Sequence, residues 1–221
     1  SLTNLKDRVY FNLTSPKIRK DDYNFQIEYL LKFKEENLAK MDFYNKDWLD
    51  HLTKQYNNSD LIILSSDYSE VDLAILDKLI KLLKLDNKEV MIFNNALEIK
   101  QQSSYNLNRL DYYLYKNKKF PKEDLIKEIE AKMFLDLNDI KETNIKIKKI
   151  ANENNIYLIE REKIFCDLLK KKCPAITDSG YKIYWDYSHI TNEGAKYFAN
   201  KIQTNKLFLK YIERLLNIKI N

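Results

Sequence analysis

Asp186 and His189 stand three residues apart in "YWDYSHITNEGAKYFANKI" (residues 184–202), and the chain of 221 residues contains only 2 histidines. An Asp-x-x-His turn can bring a carboxylate to one imidazole nitrogen. That sets the tautomer and leaves the other nitrogen free to take a proton from a hydroxyl nucleophile. This is the division of labour in a Ser-His-Asp triad. The same spacing also suits a plainer role, a local hydrogen bond at the start of a helix. The other histidine, His51 in "DWLDHLTKQ", falls on the surface of an expected helix and is not a site candidate.

Such a pair needs a loop to present it. Thr191 is the expected N-cap of a helix over "NEGAKYFANKI", which puts His189 on the loop entering that helix, at the rim of an α/β core. Upstream, "DLIILSS" (60–66) is a short apolar run expected as a buried strand. In "SEVDLAILDKLIKLLKLDNK", Val71, Ile75, Leu76, Leu79, Ile80 and Leu83 recur at helical spacing, with Ser69 and Asp72 placed for a capping box. "EVMIFNN" (89–95) follows as a second strand. Strand, helix and strand in this order make a βαβ unit, with parallel pairing and a right-handed crossover.

Residues 103–124 read as an insertion or irregular helix, with Pro121 opening the next helix. Residues 136–155 read as an amphipathic helix, 155–161 as a third strand, and the tail from Thr191 as two helical segments. In the first 59 residues, "FQIEYLLKFKEEN" and "DFYNKDWLDHLTKQ" both read as helices. The simplest architecture is one α/β domain over residues 1–221 with a mostly parallel sheet.

Composition narrows the function classes. Hydrophobic residues at 44% and charged residues at 32% are ordinary for a soluble globular protein, and the length suffices for one full-core α/β domain. Gly 2 and Pro 3, with abundant Lys, Asn, Ile and Tyr, reflect a compositional bias with little functional content. The net charge of +5 arises from 38 basic and 33 acidic residues mixed along the chain, and the runs "KIKKIA" and "LLKKKC" have acidic neighbours. A nucleic-acid binder would gather its charge on one face, and the 16 tyrosines form no RNP-like motif, so nucleic acid is not an expected partner. Apolar runs such as "LIIL" are far shorter than a membrane span, and no signal peptide is visible.

"WDYSHITNEGAKYFANKI" resembles the closing motif of SGNH-type hydrolases: Asp-x-x-His, a polar residue, two further residues and Gly-Ala. It is most similar to the SGNH domain attached to membrane acyltransferases of the acyltransferase-3 family. Cys166 and Cys173 in "FCDLLKKKCPAI" look like the pair that precedes this loop in those domains. Residues 60–100 look like their central strand-helix-strand segment, with Asn95 in the position of a polar residue at the end of the second strand. The likeness covers roughly residues 60–202.

The resemblance implies a flavodoxin-like three-layer α/β/α sandwich with a Ser-His-Asp site for acyl-ester chemistry. The serine would attack the acyl carbonyl, His189 would be the base and Asp186 would orient it. Backbone N–H groups, with a Gly and an Asn, would hold the oxyanion. Implied substrates are O-acylated, chiefly O-acetylated, envelope carbohydrates or acyl donors for them. A membrane acyltransferase domain is the implied partner, and no cofactor is implied.

The chain departs from the family pattern at the nucleophile. Neither glycine, Gly180 nor Gly194, is followed by Asp-Ser or Asn-Ser. Three readings stand: the first strand and its serine lie upstream of residue 1, so that the fold lacks its first strand; the site has lost its nucleophile; or Ser1 or Thr3 supplies the hydroxyl. The family's glycine contribution to the oxyanion hole has no counterpart before residue 180. Asn95 is a candidate side-chain donor, a turn-forming strand-end asparagine being its plainer role. Ser65, Ser66 and Asp67 follow the first visible strand and are candidate substrate contacts.

Cys166 and Cys173 are the only cysteines. A zinc site would need further ligands that are not nearby, and Cys-x6-Cys lacks the redox Cys-x-x-Cys spacing. A disulfide closing a short loop is expected, with two buried thiols as the alternative. The bond would imply an oxidising compartment, the periplasm or cell exterior. Two function classes therefore compete: an esterase or O-acyltransferase, and a catalytically inactive binding or scaffolding module of the same fold.

Overall fold

The apolar run at residues 61–64 forms an inner strand of a sheet. In the computed structural model, which describes residues 11–12, 54, 56–102 and 107–216, that sheet has the order β1 (Phe11–Asn12), β2 (Leu61–Leu64), β3 (Glu89–Phe93) and β4 (Tyr157–Ile159). Strands β1 and β3 both pair in parallel with β2, Phe11 opposite Ile62 and Ile62 opposite Val90. A strand flanked on both edges and packed on its faces reads as a continuous apolar run, which is why "LIIL" carries no alternation. Periodicity finds no strand before residue 60, because a two-residue element such as β1 is shorter than any pattern it could display. The described residues thus include a strand ahead of the first one legible in the sequence. The two helices expected in the first 59 residues lie almost wholly outside the described residues.

Two compact units divide the chain: Ser1–Asn94 with Lys146–Leu158, and Asn95–Ile145 with Ile159–Asn221. In the first unit, helix α1 (Glu70–Leu85) is started by the expected capping box. The Ser69 side chain accepts from the Asp72 N–H, and the Asp72 carboxylate accepts from the Ser69 N–H at 2.7 Å. Its Leu73, Leu76, Ile80 and Leu83, at helical spacing, are buried with Ile62, Leu64, Val90 and Ile92 of the strands. Ile147 and Ala151 complete this core.

The second unit contains helices α2 (Arg109–Asn117) and α3 (Glu123–Asp136). A 3-10 turn (Leu137–Ile140) leads from α3 into α4 (Lys141–Glu153), which runs on into the first unit. Helix α3 begins later than the sequence indicates: Lys122 is its N-cap and Pro121 lies ahead of it, buried. The expected helix at 136–155 opens as the 3-10 turn. Asp136, buried at the end of α3, accepts from Arg109 Nη2 at 2.7 Å and from the Lys100 N–H at 3.1 Å. One carboxylate thereby ties α2, α3 and the segment 97–100 together. Helices α5 (Arg161–Phe165), α6 (Asn192–Gln203) and α7 (Lys206–Leu216) follow β4. The core here comprises Leu97, Ile99, Leu110, Ile129, Met133, Ile183, Tyr184 and Phe198 with both cysteines, and Phe165 stacks on Phe198 at 3.8 Å.

Candidate active site

Residues 183–191 make a short antiparallel hairpin. Tyr184 and Ile190 are bridged, with the Thr191 N–H donating to Ile183 O at 2.8 Å on one side and the Trp185 N–H donating to His189 O at 2.7 Å on the other. Asp186 builds the tip. Its Oδ1 accepts from the backbone N–H groups of Ser188 and His189, both at 2.8 Å, an Asx-type turn. Its Oδ2 lies 2.8 Å from His189 Nδ1. The carboxylate that shapes the turn also holds the imidazole, at Nδ1.

The electrostatics follow from this geometry. Partial burial pushes the Asp186 carboxyl up, but the His189 and Ser188 backbone N–H groups and the His189 ring outweigh it and hold the carboxyl below the usual range. An ionised Asp186 places the imidazole proton on Nδ1 and leaves Nε2 as the basic nitrogen. Nε2 makes no hydrogen bond among the described residues. The His189 side chain is 75% exposed and that of Asp186 29%, which leaves the imidazole open and the carboxylate sheltered. Ser188 Oγ lies 3.4 Å from Nδ1, the nitrogen already engaged by Asp186, and so is not placed to be activated.

Distant residues hold the tip in place. Asn108, 2% exposed, donates from Nδ2 to Asp186 O at 3.0 Å while its Oδ1 accepts from the Asp111 N–H at 2.9 Å and caps α2. The Ile99 N–H donates to Tyr187 O at 2.8 Å. On the helix side, Thr191 Oγ1 donates to Lys182 O at 2.7 Å and accepts from the Gly194 N–H at 3.0 Å, capping α6 as expected. Gly194 has a strict steric reason: a Cβ there would lie 2.3 Å from Ile183 O.

Cys166 and Cys173 are joined in a disulfide. Asp167 and Lys172 exchange backbone hydrogen bonds of 2.8 and 3.1 Å across the loop. Beyond it, the Ala175 N–H donates to the buried Glu130 Oε1 at 3.1 Å, and the Ile183 N–H donates to Ala175 O at 3.0 Å. Hydrogen bonds through Glu130 and Ala175 thus connect the segment after the disulfide loop to the base of the hairpin.

Asn95 is 4% exposed, just past the end of β3. Its N–H donates to Asn144 Oδ1 at 2.9 Å and its carbonyl accepts from Asn144 Nδ2 at 3.4 Å, so the Asn144 side chain holds the Asn95 backbone. Ser65, Ser66 and Asp67 lie between β2 and α1 in the first unit, the serines half-buried and Asp67 exposed. Ser1, Thr3 and His51 lie outside the described residues. Asn108 was not legible as a site residue. Asn and Asp three apart at a helix start mark a cap, but nothing marks the bond to Asp186, 78 residues on.

Among the described residues, no group of three or more His, Cys, Asp or Glu could hold a metal, and no helix is long and apolar enough to cross a membrane.

An α/β fold with a parallel sheet and an Asp-His pair on the loop entering a late helix defines a class, the SGNH-type hydrolases and acyltransferases. Residues 27–204 match the SGNH domain (fused to AT3 domains), and the chain belongs to this family. Comparison with curated proteins returned no match.

Proposed function

We propose that the chain is a serine-type ester hydrolase or O-acyltransferase domain acting on O-acyl, chiefly O-acetyl, groups of an envelope carbohydrate. The observation that carries this reading is the 2.8 Å contact between Asp186 Oδ2 and His189 Nδ1, on a turn whose imidazole is open to a substrate. His189 Nε2 takes the proton of a hydroxyl nucleophile as its oxygen attacks the ester carbonyl. The imidazolium, stabilised by Asp186, returns that proton to the departing sugar oxygen as the carbon–oxygen bond breaks. Water or a second sugar hydroxyl then releases the acyl group, giving hydrolysis or transfer. Asn95, Ser66 and Asp67 are proposed substrate contacts. The Cys166–Cys173 bond supports an oxidising, extracytoplasmic location, and the family supports a membrane acyltransferase domain as partner.

The test is hydrolysis of an aryl acetate by the full chain and by His189→Ala, with fluorophosphonate labelling and peptide mapping to locate the nucleophile. Loss of the general base should lower turnover by about 10²–10⁴-fold and abolish labelling. Unchanged turnover in His189→Ala sinks the base assignment. A wild-type chain that neither turns over nor labels would leave two readings, a nucleophile upstream of residue 1 or a binding module of the same fold, and repeating the assay on a chain extended upstream would separate them.

A further inference from the structure

Trp185 is 70% exposed. A lone exposed aromatic needs no explanation, but this one has a particular position and a brace. With Tyr184 and Ile190 as the bridged pair and the Trp185 N–H bonded to His189 O, the next rung of the hairpin sets Trp185 opposite His189. Opposed residues of an antiparallel pair share one face, with Cβ atoms about 4.5–5.5 Å apart.

Lys182 braces the indole. Its Nζ lies 5.7 Å from the ring centroid and donates to Trp185 O at 3.3 Å. Lys182 is itself held by both Asp111 oxygens, at 2.9 and 3.0 Å. A flat apolar plate thus stands on the same face as the proposed base, its lysine neighbour already neutralised by Asp111.

We propose that Trp185 is the platform on which the substrate's sugar ring stacks, a neutral pyranose laying its C–H face on the indole with its ester directed at His189. This rests on the ester chemistry proposed above and adds the recognition of the sugar. An exposed aromatic face offers apolar contact while its N–H can bond a ring hydroxyl, a combination that suits a pyranose and gives a small alkyl ester nothing to stack. Lys182, the cation beside the indole, is compensated by Asp111 and offers no net charge to an anionic sugar.

The test has two arms on the full chain. In the first, the ¹⁵N–¹H indole resonance of Trp185, assigned by its absence in Trp185→Phe, is followed while a methyl mono-O-acetyl-glucopyranoside is titrated in. A saturable shift is expected, and a resonance unmoved at saturating glycoside overturns the proposal. In the second, kcat/KM for that glycoside is divided by kcat/KM for vinyl acetate. Trp185→Ala should lower this ratio about three- to tenfold, the worth of one aromatic contact, chiefly through KM, with Trp185→Tyr restoring most of it. An unchanged ratio overturns the stack and leaves the ester chemistry standing. If the wild-type chain hydrolyses neither ester, the indole titration alone decides.

Discussion

Replacing Gly194 by alanine sets two effects of opposite sign against each other. Gly194 is the third residue of α6, and a helical position should gain up to about 1 kcal/mol on exchanging glycine for alanine. Against this, the new Cβ would meet Ile183 O at 2.3 Å, Ile183 C at 3.0 Å and its Cα at 3.1 Å. All three are backbone atoms, so no side chain can swing away. Relief requires the helix start and the Ile183 strand to part by about 1 Å, against a residue with 0% exposure whose carbonyl accepts the Thr191 N–H at 2.8 Å. Overpacking of this kind costs about 1–3 kcal/mol, and loosening the Thr191 cap about 1 kcal/mol more. The clash outweighs the propensity gain, for a net loss of about 1–3 kcal/mol. In a chain of this size each kcal/mol lowers Tm by roughly 2–4 °C. Urea unfolding followed by circular dichroism would measure it, with Ala195→Gly at the neighbouring exposed position expected to cost no more than the propensity difference. A Gly194→Ala midpoint equal to or above wild type would refute the steric argument.

Two further outcomes are expected. Cys166→Ser with Cys173→Ser removes a cross-link between residues 7 apart in sequence. Loop-closure entropy for so short a ring predicts a loss of about 2–2.5 kcal/mol, and unfolding midpoints that coincide with and without reductant would contradict it. Asp186 has a folded carboxyl value below its unfolded one, so its stabilisation is present above about pH 4 and is lost as pH falls through the folded value. A carboxyl titration by NMR should place its midpoint below that of a free aspartate, and Asp186→Asn should weaken the acid dependence of stability. A midpoint at or above about 4 would show that burial outweighs the turn's hydrogen bonds.

What proved legible in the sequence is short in range. The Ser69–Asp72 box, the Thr191 cap and the Asp186–His189 turn each act across three residues, so the spacing of donors and acceptors is written in the chain itself. The apolar runs at 61–64 and 89–93 and the 3.6-residue stripe of α1 are equally local. Strand β1 escaped because two residues carry no period. The late start of α3 escaped because Pro121 suits a first turn, while Lys122, an N-cap with no side-chain cap bond, carries no capping signal.

The sequence by itself determined the α/β class, the helix start at Thr191 and the Asp186–His189 turn beside it. Tertiary structure alone decided what holds them. Asn108 reaches Asp186 across 78 residues and Asp111 anchors Lys182 across 71. Gly194 is required by the carbonyl of Ile183, and Trp185 faces His189 only through hairpin register. The reason is physical: within one turn, backbone geometry dictates distance. Between remote segments, distance depends on how whole elements pack, and neither periodicity nor spacing records that.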